Sequence, residues 1–276
     1  MTVLAQWPHR TSRILHRGFF SAPSLAAWRR LTNLYIHNGH RSHDKRASGS
    51  NAEARRAASA VGHVPHVKSE RADAVLRYWL GDTYLTDPPQ HVDPERKKLW
   101  FMGGPETDQT IKGCFGADVE ATAAGKLASW RQGYDALAAI ILEDQFTRNV
   151  YRGTSKMCSL DKEALALAKE LIDSGGQEGI KLAHRIWLYM PFMHSEDLQD
   201  QEAGIECFGE LLGQTQALPG GGEPLAAVLK DNHQYAVAHR DVILKWGRFP
   251  HRNKILGRES TEEEERAMRE GNVPSF

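Results

Sequence analysis

The stretch Asp135-Ala136-Leu137-Ala138-Ala139-Ile140-Ile141-Leu142-Glu143-Asp144-Gln145-Phe146 decides the fold. Leu137, Ile140, Ile141 and Asp144 recur three and four apart, so on a helix they share one side, with Asp144 at the edge of an apolar stripe. The same signal extends in both directions. Toward the N-terminus, Ser69 is a natural cap for a run in which Val75, Leu76, Trp79 and Leu80 keep helical spacing until Gly81 ends it. Asp93-Pro94 then opens a segment reaching Trp100-Phe101, and Ile111, Phe115 and Val119 repeat every four residues.

Toward the C-terminus, residues 161–172 form a helix closed by Gly175-Gly176, and a helix from 179 runs to 190, where Pro191 interrupts it. Ser195 caps the next, 195–212, and 225–246 reads as a helix with a break near Asp231 and a stop at Gly247. Thr261 and Glu264 form a capping box for the last. No stretch alternates apolar and polar residues as a half-buried strand does. The sequence therefore predicts one all-α domain over 69–276, about eight helices in antiparallel pairs, without a repeat of fixed period.

Composition agrees with a globular chain: 41% hydrophobic and 25% charged over 276 residues. No run approaches the ~18 apolar residues of a membrane span. Cys114, Cys158 and Cys207 are an odd number without paired spacing, which points away from a disulfide framework and toward a reducing compartment. Charge is uneven along the chain. Residues 1–68 hold eleven Lys and Arg against Asp44 and Glu53, so the rest carries an equal negative excess, because the whole chain sums to zero. An Arg-rich, acid-poor beginning, with Arg10, Arg13 and Arg17 on one helical face beside Ile14, Leu15, Phe19 and Phe20, predicts a mitochondrial transit peptide; plastid and cytoplasmic destinations are the alternatives. The acidic body argues against a nucleic-acid partner.

Four polar clusters adjoin core-forming residues. In the first, Asp144, Gln145, Arg148 and Arg152, the carboxylate pairs with one arginine and leaves the other for an anion. The second is His194 with Glu196, Asp197 and Gln201; capping and the helix dipole account for Ser195, Glu196 and Asp197, but not for His194 or Gln201. Without a second spaced His, no metal site is assigned; a metal-dependent hydrolase would have to use His194, Glu196 and His251. The third is Asp231, His233 and His239, of which His239 shares a stripe with Val242, Ile243 and Trp246 and thus faces inward. The fourth is the loop Gly247-Arg248-Phe249-Pro250-His251-Arg252-Asn253 with Arg258, whose guanidiniums need partners such as Asp144, Glu196 and Asp197.

These motifs, together with Trp79 and Gly81, Trp100-Phe101, Asn149, Gly153-Thr154, Tyr189-Met190-Pro191 and Leu256-Gly257, resemble the family called domain of unknown function 924, from about Ala72 to Phe276. The resemblance implies a tetratricopeptide-like helical array and no established activity. It also implies that the first seventy residues are an addition, and that Glu143 stands where the family pattern has leucine. The residues together predict a pocket where the Asp144 helix, the His194 turn and the 247–258 loop converge. There Arg148, Arg248 and Arg252 hold a small anionic ligand, and His194 or His251 moves protons. The rival reading is a non-catalytic helical module for protein partners, in which the same groups interlock structurally. No cofactor is named by the sequence.

Overall fold

Residues 134–140 are buried without a break, so the helix that holds them is enclosed on every side instead of presenting one apolar stripe. A computed structural model places this helix at the centre. It describes residues 67–219, 222–274 and 276; the expected basic leader falls almost wholly outside them. Among the described residues the chain runs α1 (Glu70–Leu80), α2 (Pro94–Met102), α3 (Pro105–Ala123), α4 (Gly133–Ile140), a π-helical turn (Ile141–Phe146) and α5 (Thr147–Val150). Then come α6 (Asp161–Asp173), α7 (Arg185–His194), α8 (Leu198–Gln216), α9 (Glu223–Trp246) and α10 (Glu262–Arg269), with no strand. The described residues are all-α, and no helix among them is long and apolar enough to cross a membrane.

Central α4 packs against α1, α6 and α7. Its buried Asp135 takes the backbone N–H groups of Lys68 and Ser69, each at 3.2 Å, which ties the entrance of α1 to the core. Trp79 of α1 meets Trp187 of α7 and Phe146 edge-on at 5.1 and 5.3 Å, and Trp100 of α2 donates its indole N–H to the Trp79 carbonyl at 2.8 Å. Successive α7, α8 and α9 are antiparallel. Gly204 of α8 lies against Phe192, Arg240 of α9 reaches Glu202, and Gly209 abuts His233. Gly204 is required there, since any Cβ would stand 2.8 Å from the Cβ of Phe192.

Several boundaries differ from the sequence expectation. The helix expected from 179 starts only at Arg185, after two 3-10 turns, and continues through Pro191 to His194. Proline's fixed φ fits the helix, and near its end a single ladder bond is lost. The next helix is capped by Asp197, not Ser195: Asp197 accepts the Gln199 N–H at 2.7 Å, while Ser195 ends α7 and its Oγ accepts the Asp197 N–H at 3.1 Å. Helix α9 passes Asp231 unbroken for 24 residues and ends at Gly247, whose φ of 67° lies in the left-handed region.

Candidate functional site

The π turn decides where Asp144 points. Its ladder is one residue wider than an α-helix, and Thr147 Oγ1 donates to the Leu142 carbonyl at 2.9 Å where that ladder closes. Asp144 ends up with no exposed surface. Burial alone would raise its pKa, but the hydrogen bond from His194 and the charge of Arg148 outweigh burial and lower it. Its carboxylate receives His194 Nδ1 at 2.6 Å, Arg148 Nη1 at 3.1 Å and Gln145 Nε2 at 2.6 Å. An ionised Asp144 only accepts, so the proton lies on Nδ1 of His194 and the Nε2 lone pair is left. Burial, with Arg148 adding to it, lowers the His194 pKa and keeps the ring neutral.

Arg148 also bonds Asp161 Oδ2 at 3.0 Å, and Asp161 lies 3.5 Å from Arg252. The thiol of Cys158, half-buried in the field of Asp161, Arg252 and Arg148, is raised above the usual thiol value, by burial first. Arg252 stacks on the Phe249 ring at 4.3 Å and gives Nη1 to the His194 carbonyl at 3.0 Å. Its pKa is lowered, by burial and then by Arg148.

An outer set of pairs holds the 247–258 loop down. Arg258 grips both oxygens of Glu196 at 2.6 and 3.0 Å, and Glu196 also takes the Phe249 N–H at 2.8 Å. Arg248 grips both oxygens of Glu264, each at 2.8 Å, and Asn253 links Glu264 to Arg258. Beside this set, His239 donates Nδ1–H to the Tyr235 carbonyl at 2.7 Å, and burial lowers its pKa to about 3. The Phe276 ring covers His239 with centroids 3.5 Å apart. His251 is lowered to about 4, chiefly by burial, and its Nδ1 is buried without a hydrogen-bond partner.

The model of the family described as bacterial protein of unknown function (DUF924) matches residues 75–272. The chain belongs to the DUF924 family. Among solved structures, the chain is similar to a protein of unknown function, ATU0120, from Agrobacterium tumefaciens, at 29% identity and a TM-score of 0.57, over 72% of this chain and 97% of that one. No curated protein matches.

Of the residues singled out in the sequence, Asp144, Gln145, Arg148, His194 and Arg252 come together, joined through Glu196, Arg258 and Asn253 to the outer pairs. Four expectations are corrected. Arg152 is not left over for an anion: it pairs with Asp108 at 2.6 Å, because α3 passes beside α5. It lines an open cleft of about 250 Å³ with Lys112 and Asn149, below the ~300–1,000 Å³ usual for ligand sites. Arg248 is spent on Glu264, a partner not foreseen. Asp197 is an exposed cap. Gln201, buried, closes the end of α7 by donating to the Met193 and Ser195 carbonyls, each at 2.7 Å.

Asp161, Cys158 and Phe276 were not anticipated. Asp161 had a visible signal as a first-turn acid of α6; the other two had none. Burial, with Glu163 adding to it, raises the pKa of Glu143 to about 7. Both oxygens of Glu196 are occupied, and among the described residues no group of three or more His, Cys, Asp or Glu side chains is arranged to hold a metal ion.

Proposed function

We propose that this DUF924 protein binds a small anion at Arg252 and exchanges a proton with it through His194. The observation that supports the reading is that Arg252 is buried yet short of negative charge. Its nearest carboxylate stands 3.5 Å away and is shared with Arg148, and its pKa is pulled down, whereas those of Arg148, Arg152 and Arg248 are raised. A buried cation with incomplete compensation gains from an incoming anion through charge-assisted hydrogen bonds. His194 adjoins it, with Asp144 fixing the ring so that Nε2 is the basic nitrogen. Asp144 acts through His194 and is a positioning residue.

A second reading has its own support. Arg148, Arg258 and Arg248 each already hold a carboxylate of the chain, so the network joins the π turn, the His194 turn and the 247–258 loop without any ligand. Thermal-shift titration with inorganic phosphate and with acetate separates the two. Under the first reading, wild type gains stability, on the order of 2.7 kcal/mol at a hundredfold excess over Kd, while a folded Arg252→Met gains none. Under the second, neither anion shifts wild type and Arg252→Met melts several degrees earlier.

A further inference from the structure

Phe276 lies face to face on His239, with ring planes 19° from parallel, and turns toward Phe249 and His251 at 6.3 and 6.1 Å. The floor beneath it is built. Phe249 is fully buried, and His239 is nearly so and anchored through Nδ1. Phe276 itself keeps 43% of its surface exposed, so it rests on this floor without completing the core. A purely apolar occupant also leaves polar atoms unanswered. His251 Nδ1 is buried without a partner, and only one ring nitrogen of His239 is engaged. The floor continues into the anion site, for Arg252 stacks on Phe249 at 4.3 Å and His194 meets His239 edge-on at 6.3 Å.

We infer that His239, Phe249 and His251 form a ring subsite beside Arg252, that its ligand is a planar aromatic or heteroaromatic molecule carrying an anionic group, and that Phe276 takes the ring's place when the ligand is absent. The inference rests on Arg252 being the anion site. A ring on His239 is held by dispersion and by the fit of two aromatic quadrupoles. An arm on the ring brings its anionic group toward Arg252, since Phe276 and Arg252 both contact the Phe249 ring, 6.3 and 4.3 Å from its centroid. A heteroatom at the ring's edge gives the imidazole of His251, which meets that ring edge-on and has a buried Nδ1 without a partner, the hydrogen bond that phenyl lacks. Because Phe276 is tethered, it competes at a high effective concentration, and its removal strengthens ligand binding.

The test titrates phenylacetate and acetate into the full chain, its Phe276→Ala variant and Arg252→Met, following the His239 ring protons by NMR. Removing the stacked ring is expected to move the His239 signals downfield. Phenylacetate then binds Phe276→Ala at least about fivefold more tightly than wild type and moves those signals back, whereas acetate binds both alike. Equal phenylacetate affinity in the two proteins, or binding that leaves His239 unmoved, overturns the ring subsite; acetate binding lost only in Arg252→Met shows in that case that the anion site stands without it. Acetate binding indifferent to Arg252→Met overturns both. Phe276→Leu, which keeps apolar cover but not the stacked ring, is expected to behave as Phe276→Ala does and guards against a loss of folding.

Discussion

Two charged regions meet at the 247–258 loop and are built on different terms. In the outer one, Glu264 receives both arms of Arg248 and the Thr261 N–H, and these contacts bring its pKa down to about 2. Glu196 likewise receives both arms of Arg258 and the Phe249 N–H, which outweigh its burial. Each cation there has a carboxylate of its own. In the inner region only Asp144 is so well served. Asp161 is raised by burial although Arg148 opposes it, Arg252 is lowered, and His194 is held neutral. The outer pairs therefore hold a loop in place, while burial shifts the pKa values of Asp161, Arg252 and His194 toward their neutral forms, which is the condition under which binding or proton transfer changes most.

The largest effect is expected at the best-served group of the inner region. Asp144→Ala leaves Arg148 and His194 buried without their shared partner, and denaturant unfolding should show a loss of about 3–5 kcal/mol. A loss below about 1 kcal/mol would mean that the centre rearranges around Asp161, and that its charges are not interlocked.

Glu143 lies on the same turn with one oxygen buried and unpartnered, and its folded pKa of about 7 stands above its ordinary 4.5. The folded chain thus holds a proton that the unfolded chain releases between those values. Stability is full below pH 4.5 and falls as pH rises to about 7, by no more than about 3 kcal/mol. Glu143→Leu should remove that fall and raise the unfolding midpoint at pH 8; an unchanged slope between pH 5 and 7 would contradict it. Smaller still is the outer pair. Glu264→Gln loses its ionic grip on Arg248 but keeps a capping oxygen, and should cost about 1–2 kcal/mol, partly recovered by the screening that high salt already imposes on the wild type.

How much of this was legible in the sequence depended on distance along the chain. Helices followed from local spacing and caps, and Gly247, Thr261 and Glu264 stand where they were expected. Where two residues of cap type stand close together, as Ser195 and Asp197 do, local rules do not choose between them, and α7 ran past Pro191 because tertiary packing overrode a single lost bond. The π turn was hidden because its residues also fit an α-helix. In the site, Asp144 with Arg148 is an i,i+4 pair and could be read directly. Arg152 with Asp108, Arg248 with Glu264 and His194 with Asp144 are separated by 44, 16 and 50 positions, and only the packed helices bring them together.

The one-residue widening at Ile141–Phe146 makes the length of this segment as consequential as its letters. Deleting a single residue there would let the ladder close as ordinary α-helix and swing everything beyond it by about 100° relative to α4. Asp144 and Arg148 would then no longer face the same neighbours, although every side chain of the centre was still present. The segment acts as a phase setting between a buried helix that fixes the core and a following stretch that aims the charges.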